Sequence, residues 1–159
     1  MKLYHGSNMA VTLPEIRIPD RKLDFGAGFY LTSSREQAER WAKLTTLRKK
    51  AGAPTLSIFD FNESAASGLN CLRFAKADGE WLRFVAANRS GRPVPDGYDL
   101  VVGPVANDKT YDVISLYFAG VYDEEETVKR LEPQKLFDQF AFRTAKALGT
   151  IAFASAERT

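Results

Sequence analysis

The segment from residue 24 to residue 41, DFGAGFYLTSSREQAERW, constrains the fold more than any other part of the sequence. Its two glycines allow a positive φ angle or a close approach of the backbone to a ligand. The run of aromatic and β-branched residues over 29–32 favours a strand. Ser33 and Ser34 then suit the N-cap of a helix, since each is followed three positions later by Glu or Gln. A glycine loop, a strand and a helix are therefore predicted in direct succession.

Two aromatic side chains in this segment are predicted to face one another. Tyr30 lies near the end of the predicted strand, and Trp41 lies eleven positions later on the predicted helix. Aromatic walls of this kind suit the binding of a flat heteroaromatic ring. The segment therefore predicts a ligand slot between Tyr30 and Trp41.

Length and composition set limits on the rest of the chain. Its 159 residues, 45% of them hydrophobic, suffice for one domain, so a single domain over residues 1–159 is expected. The 22 basic and 20 acidic residues give a net charge of +2, which permits nucleic-acid binding without implying it. The single cysteine excludes an internal disulfide, and the sequence has neither a His or Cys cluster nor a long apolar run. We therefore expect a cytoplasmic protein without a metal centre.

The pattern of apolar residues, glycines and prolines predicts short strands mixed with helices. Strands are predicted at 2–5, 29–32, 55–61, 98–105, 137–142 and 151–153, and helices at 34–52, 69–90 with a break at Gly79, 112–118, 123–131 and 144–148. Residues 9–23 contain two prolines and are predicted to form an extended loop or an edge strand. Trp81 is expected in the core, and the last six residues are expected to fray. This order of elements predicts an α+β fold.

Several residues outside the aromatic segment have two open interpretations. His5 is the only histidine and precedes Gly6 at the end of the first predicted strand, where it either packs structurally or contacts a ligand. Arg17, Arg21 and Lys22 precede the glycine loop, and they are either solvated charges or phosphate contacts.

Three separated segments together form a recognisable pattern. They are His5-Gly6-Ser7, the GAGFY stretch at 26–30 followed by Trp41, and the predicted strand over 138–142. This pattern resembles the ADP-ribosyltransferase superfamily, in the class that includes diphtheria toxin and the poly(ADP-ribose) polymerases. In that class a strand ending in His-Gly is followed by a Gly-x-Gly-Φ-Tyr strand, by a second aromatic residue eleven positions later, and by a strand that bears a glutamate. The likeness covers essentially the whole chain in element order, and it extends to bacterial domains of unknown function with this fold.

The resemblance implies an ADP-ribosyltransferase-like α+β fold, with two small, mostly antiparallel sheets, flanking helices and an NAD cleft. In such a cleft His5 would bond the adenosine ribose hydroxyl of NAD, and backbone groups of Gly6 would hold the nicotinamide carboxamide. Tyr30 and Trp41 would sandwich the nicotinamide ring. The residues that the resemblance assigns to NAD binding are His5, Gly6, Ser7, Gly28, Tyr30 and Trp41.

Two departures from the family pattern affect the expected activity. The family often has a serine where this chain has Ala38, and it has its catalytic glutamate where this chain has Gln139, on the face of the last principal strand opposite Phe140. Cleavage of the nicotinamide–ribose bond develops positive charge on the sugar, which a carboxylate stabilises better than an amide. Loss of one such contact costs roughly 2.7 to 4 kcal/mol, or about a hundred- to thousandfold in rate. The catalytic residues implied are Gln139, Tyr30 and His5.

The resemblance implies a mono-ADP-ribosyltransferase, a glycosyltransferase that moves ADP-ribose from its substrate NAD to a protein or nucleic-acid acceptor. The similar bacterial proteins suggest a toxin-like or immunity effector with an antitoxin or other regulatory partner, and no membrane association is expected. A catalytically weak NAD or ADP-ribose binding module and an NAD glycohydrolase are the alternatives, because ring binding needs no carboxylate. A slow transfer or hydrolysis with Gln139 is also open, and another acid, such as Asp108 or one of the acids at 124–126, is a candidate to supply the charge that Gln139 lacks.

Overall fold

The computed structural model describes residues 1–18, 22–106 and 108–159, and it has an α+β architecture. In chain order the strands are β1 (Lys2–Ser7), β2 (Phe29–Leu31), β3 (Thr55–Phe61), β4 (Cys71–Arg73), β5 (Leu100–Pro104), β6 (Asp138–Phe142) and β7 (Ile151–Arg158). The helices are α1 (Arg35–Lys49), α2 (Glu63–Ala66), α3 (Gly79–Ser90), α4 (Asp108–Phe118), α5 (Glu124–Leu131) and α6 (Ala145–Leu148). The expected α+β class is confirmed.

The strands form two sheets that are mostly antiparallel. The first sheet has three strands in the order β1-β3-β7, and both of its pairs are antiparallel. The second sheet has four strands in the order β2-β6-β5-β4, in which β4 and β5 run parallel and the other pairs are antiparallel. The expectation of two small, mostly antiparallel sheets is thus confirmed.

An aromatic core fills the space between the two sheets. Alternation along β6 directs Phe140 and Phe142 toward the first sheet, where both rings contact Phe61 at centroid separations of 6.0 and 5.7 Å. Phe29 of β2 meets Phe59 of β3 edge-on at 5.5 Å. Edge-to-face pairs add about 0.5 to 1.5 kcal/mol each to the stabilisation from burial alone. These contacts hold the sheets face to face.

Helices cover the outer faces of both sheets. On the first sheet, α1 buries Ala38 against Leu56 and Ile58. On the second sheet, α3 buries Trp81 completely, and its indole Nε1 donates to the carbonyl of Pro104 at 2.9 Å, so the core position expected for Trp81 is confirmed. None of the helices within the described ranges is both long and apolar enough to cross a membrane.

Local signals explain why α1 occupies the predicted place. The helix begins after Ser34, whose hydroxyl accepts a hydrogen bond from the N–H of Gln37 at 3.2 Å. It ends at Lys50, which adopts the left-handed conformation with a φ angle of 52°. The strand β2 therefore passes to the helix within a few residues, as the capping pattern predicts.

The helix predicted over residues 69–90 is wrong in its first half. Residues Cys71–Arg73 form β4, which pairs in parallel with β5. Helix α3 starts at Gly79, after Asp78 accepts the N–H of Trp81 at 3.0 Å. The apolar residues near 72 fit a strand as well as a helix, and pairing with β5 decides between the two.

Two further differences concern the ends of strands. Residues 154–159 do not fray, because β7 continues to Arg158 along the whole length of β3, and the N–H of Thr159 donates to the carbonyl of Pro54 at 3.0 Å. The chain after β3, where the sequence predicts no helix, forms the short helix α2, and Asn62 caps it by accepting the N–H of Ala65 at 3.0 Å.

Candidate functional site

β1 and β2 pair at a single point and then separate. Tyr4 and Thr32 exchange two backbone hydrogen bonds of 2.8 and 3.0 Å. Backbone groups alternate in direction along a strand, so the N–H and C=O of Gly6 point to the same side of β1 as those of Tyr4. By the same alternation, the N–H and C=O of Tyr30 point from β2 toward β1. No backbone hydrogen bond between described residues joins Gly6 to Tyr30, and we call the unpaired stretch between these two strand edges the gap.

The far end of this gap is closed by the extended segment before the glycine loop. Arg17 forms an isolated antiparallel bridge with Gly28, on the same edge of β2 that faces β1. A Cβ atom on Gly28 would lie 2.9 Å from the carbonyl of Phe142, so glycine is required there for the close approach of β6. The pair Tyr4–Thr32 and the pair Arg17–Gly28 thus bound the gap at its two ends.

His5 lies at the gap in a defined tautomer. Its Nδ1 is 2.9 Å from the carbonyl oxygen of Tyr30, and a carbonyl only accepts, so Nδ1 carries the proton and Nε2 is an acceptor in the neutral ring. Burial lowers the pKa of His5 below its ordinary value, and the positive charges of Arg17 and Lys49 lower it further, although the hydrogen bond to Tyr30 opposes them. The ring stacks on Phe29 at a centroid distance of 4.8 Å. These contacts hold a neutral imidazole with one available acceptor.

Gly6 has a structural reason to be glycine. A Cβ atom at this position would lie 1.8 Å from the carbonyl oxygen of Ala38 and 2.8 Å from the backbone nitrogen of Ala42, because α1 packs directly on β1. Trp41 lies between these two contact points in sequence and is half-buried. The close packing therefore brings the segment of α1 that carries Trp41 against the backbone of Gly6.

The slot predicted between Tyr30 and Trp41 stays a prediction. The structure places Tyr30 on β2 and Trp41 on α1, as expected, and the ring contacts of the described residues do not include this pair. Ser7, the third residue of the first motif, is buried, and its hydroxyl lies 3.4 Å from the side-chain oxygen of Asn8.

The side chain of Tyr30 anchors the glycine loop. Its hydroxyl donates to the carbonyl of Gly26 at 2.6 Å and accepts the N–H of Phe25 at 3.2 Å. Burial raises the pKa of Tyr30 above its ordinary value, and the negative charge of Asp24 raises it further. Gly26 has a φ angle of +78°, which favours glycine. The phenol therefore stays protonated and holds the loop on the second sheet.

Gln139 belongs to a buried polar cluster that the sequence does not reveal. Its side chain points away from the aromatic core, on the face of β6 opposite Phe140, as the alternation predicts. Its Nε2 donates to Oδ2 of Asp24 at 3.3 Å, and both residues are buried. Oδ1 of Asp24 accepts from Nε and Nη2 of Arg89, at 2.6 and 2.5 Å. The Asp24–Arg89–Gln139 cluster joins the glycine loop, α3 and β6.

Two other ionic side chains, Asp138 and Arg143, differ in how many of their polar atoms have hydrogen-bond partners. The carboxylate of Asp138 accepts from the N–H and hydroxyl of Ser33, at 2.8 and 2.5 Å, and its Oδ1 lies 3.0 Å from the Thr32 hydroxyl. The guanidinium of Arg143 lies under Gly26, and its Nη2 is 3.6 Å from an oxygen of Asp96. Nε and Nη1 of Arg143 are buried without a hydrogen-bond partner among the described residues.

The remaining charged residues of the sequence hypothesis lie elsewhere or outside the described part. Lys22 lies against Gly91 at the end of α3, and Arg17 is exposed and 3.6 Å from Glu15. At the start of α5, Glu124 contacts Arg83 and Glu126 contacts Arg130. Arg21 and the side chain of Asp108 fall outside the described residues.

Two surface cavities lie apart from these residues. One of about 240 Å³ lies between residues 75–78 and α5, and a groove of about 610 Å³ lies beside residues 8–10 and the end of β7. Neither cavity is lined by His5, Tyr30 or Gln139. The gap between β1 and β2 is therefore defined by its hydrogen-bonding edge and not by one of these cavities.

Together, the fold and these contacts define an α+β protein in which a glycine loop, a neutral histidine and a buried Asp–Arg–Gln cluster meet around the second sheet. Over residues 1–153 the chain matches the family described as "Protein of unknown function (DUF3990)". The chain belongs to this family. No curated protein and no solved structure matches it.

Proposed function

We propose that this protein has an ADP-ribosyltransferase-type fold, binds NAD in the gap between β1 and β2, and acts as a mono-ADP-ribosyltransferase. The observation that carries this proposal is the backbone edge of Gly6, which faces the gap beside His5 and Tyr30. A carboxamide offers one carbonyl acceptor and an N–H donor on the same plane. It therefore complements the N–H and C=O of one extended residue such as Gly6.

The groups around Gly6 suit the rest of the nicotinamide nucleoside. A neutral imidazole whose Nε2 accepts a hydrogen bond can hold a ribose hydroxyl, and His5 is fixed in that tautomer. Tyr30 lies on β2, which borders the gap, and Trp41 lies on α1, which packs on β1. Both would stack on the pyridine ring, at a gain of roughly 0.5 to 1.5 kcal/mol beyond burial. Gly28 directly precedes β2 and lies at the end of the gap, and Ser7 extends the first motif, so both stay in the proposed binding set.

The proposed reaction breaks the bond between the ribose C1′ and the pyridinium nitrogen. The bonding electrons leave with nicotinamide, which becomes neutral, and the positive charge moves to the sugar. An acceptor hydroxyl of a protein or nucleic acid then adds to C1′ and loses its proton to solvent. With water as the acceptor, the same site is an NAD glycohydrolase. A toxin-like or immunity role, with a regulatory partner, belongs to the same proposal.

One observation favours a second candidate, a binding module with weak or no catalysis. The position on β6 where the ADP-ribosyltransferases of the resemblance have a glutamate is occupied by a neutral amide that is already hydrogen-bonded to Asp24. Binding of the ring and the ribose needs no carboxylate. The two candidates therefore differ in nicotinamide release and not in NAD affinity.

A comparison of two dinucleotides tests carboxamide recognition without altering the protein. NAD and nicotinic acid adenine dinucleotide differ at the group that Gly6 is proposed to hold. The acid has no N–H donor and brings a negative charge to the Gly6 carbonyl, so it should bind about tenfold more weakly or worse. Calorimetric titration measures both affinities. Equal affinity would contradict the carboxamide contact, and absence of NAD binding would contradict the whole proposal.

Incubation with labelled NAD and cell lysate then separates the three activities. Label on protein or nucleic acid indicates transfer, and free labelled ADP-ribose indicates hydrolysis. NAD binding without release of nicotinamide identifies the binding module.

A further inference from the structure

We propose that Asp24 supplies the carboxylate that stabilises the ribose cation, in place of a glutamate on β6. This inference rests on the proposed function and assigns a catalytic residue to the same site. Asp24 directly precedes the glycine loop, 115 positions before Gln139 in the sequence, and the fold brings the two side chains into contact. An acid on the loop and an amide on the strand thus form a hydrogen-bonded pair.

The contacts of Asp24 leave it suited to this role. Arg89 binds one carboxylate oxygen, Oδ1, through two nitrogens, and Gln139 donates a single hydrogen bond to the other oxygen. An ionised carboxylate has about four acceptor sites, so Oδ2 retains capacity for a ligand hydroxyl. The side chain of Asp24 is only 7% exposed, and a charge with so little contact with water acts more strongly on its neighbours than an exposed one.

The charge of Asp24 already acts on a proposed ligand-binding residue. Its negative charge is one cause of the raised pKa of Tyr30, after burial. The phenol of Tyr30 is bonded to the two residues that follow Asp24 in the loop. The negative charge of Asp24 therefore acts on the side chain that is proposed to stack on nicotinamide.

The other carboxylates described near these elements are engaged differently. Both oxygens of Asp138 bind the turn after β2, through Ser33 and Thr32. Glu124 and Glu126 pair with Arg83 and Arg130, as Asp24 pairs with Arg89, but the hydrogen bonds of the described residues do not join either glutamate to Gln139. Among the side chains that the structure describes, Asp24 is thus the acid in direct contact with Gln139.

In the proposed step, the C1′–N bond breaks and its electron pair leaves on the nicotinamide nitrogen. Asp24 remains ionised throughout and offsets the positive charge that develops on the ribose. Water or an acceptor hydroxyl forms the new C1′–O bond, and its proton passes to solvent. Asp24 forms no covalent bond, so its contribution is electrostatic and positional.

The test exchanges the acid and the amide between the two positions. Asp24→Asn should lower the rate of nicotinamide release by roughly a hundred- to thousandfold, with little change in NAD affinity. The double variant Asp24→Asn, Gln139→Glu keeps the net charge and the hydrogen-bonded pair, and returns the carboxylate to β6. It should restore the rate to within about tenfold of the original protein, because the charge again faces the ribose. Chromatography of nicotinamide measures the rate, and calorimetry measures the affinity.

Gln139→Glu alone and Asp99→Asn complete the set. Gln139→Glu places two carboxylates in contact and should slow release by repulsion. Asp99 is a second carboxylate with structural contacts, since it accepts from Asn70 and Thr144, so Asp99→Asn should lower stability without changing the rate. Circular dichroism and thermal melting establish which variants are folded.

The outcomes separate this inference from the proposed function. Absence of NAD binding by the unaltered protein overturns both. NAD binding with no nicotinamide release overturns both the role of Asp24 and the transferase reaction, and leaves the binding module. A folded Asp24→Asn protein with an unchanged rate overturns the role of Asp24 alone. If Asp24→Asn does not fold, the double variant decides: a folded double variant that releases nicotinamide supports the role, and a folded but inactive one overturns it.

Discussion

The buried charge of Asp24 is satisfied by two side chains from distant parts of the chain, Arg89 and Gln139. The two bonds from Arg89 are charge-assisted, and Gln139 adds a third bond on the other oxygen. Removal of one partner of a buried ion pair typically costs 3–5 kcal/mol, roughly, because the remaining charge is left uncompensated. The cluster therefore contributes to stability whether or not the site is catalytic, which is why the exchange of acid and amide is more informative than a deletion.

At the same scale, His5 makes folding and binding depend on pH. Its pKa in the folded state is lowered, chiefly by burial, so the unfolded chain binds the proton more readily. The free energy of unfolding should therefore be fully retained above the ordinary pKa of about 6.5 and fall as the pH drops below it, by up to about 1.4 kcal/mol per pH unit. Urea denaturation at a series of pH values measures this slope.

His5→Gln supplies the control, because His5 is the only histidine in the sequence. The variant should lose the slope just below pH 6.5 but keep the carboxylate titrations at lower pH. NAD affinity of the original protein should fall only at lower pH, where His5 of the folded protein itself takes up a proton, since a protonated Nε2 no longer accepts from a hydroxyl. An identical slope in the variant would show that His5 does not titrate with folding.

At the scale of elements, the packing of α1 on β1 positions the proposed slot. Gly6 and Ala38 are so close that any side chain at residue 6 would displace the helix. A lower NAD affinity in a Gly6 variant would therefore reflect the displaced helix as much as a lost contact with the ligand. Residues on the exposed part of α1 are better probes of the site.

Trp41→Ala and Leu44→Ala form a matched pair on α1. Trp41 is proposed to stack on nicotinamide, so Trp41→Ala should weaken NAD binding by roughly 1 to 3 kcal/mol. Leu44 is 41% exposed on the same helix and has no proposed contact, so Leu44→Ala should leave the affinity unchanged. Calorimetry of both folded variants decides, and equal affinities would place Trp41 outside the site.

Elements with local signals could be predicted from the sequence, and elements that depend on distant pairing could not. The cap at Ser34 and the strand over 55–61 depend on residues within a few positions of one another, and the structure confirms both predictions. β4 is fixed by its parallel partner β5, and local apolar spacing near residue 72 did not reveal that pairing. Asp24 gave no sign of its contact with Gln139, because only the folded chain brings them together.

At the scale of the whole molecule, the two ends of the chain lie on opposite edges of the first sheet. β3 is the central strand, with β1 on one side and β7 on the other. The proposed site is on the side of β1 away from β3, so β7 can be altered without touching it. Burial is low along β7 after Ile151, so its attachment depends mainly on backbone hydrogen bonds to β3.

Two proline substitutions in β7 test whether the C-terminal strand is stably paired. Tyr4 directs its backbone N–H and C=O to β2, so its partner Ile58 on β3 directs its own groups away from β1 and toward β7. Ser155 lies opposite Ile58 and is therefore at a hydrogen-bonded position of β7. Ala156 then points its N–H to solvent at the sheet edge.

Ser155→Pro should lower the free energy of unfolding by about 1 to 3 kcal/mol, and Ala156→Pro should have a much smaller effect. Both side chains are exposed, so urea denaturation compares the backbone alone. Equal, negligible effects would instead mean that the last residues fray, and NAD affinity should be unchanged in both variants.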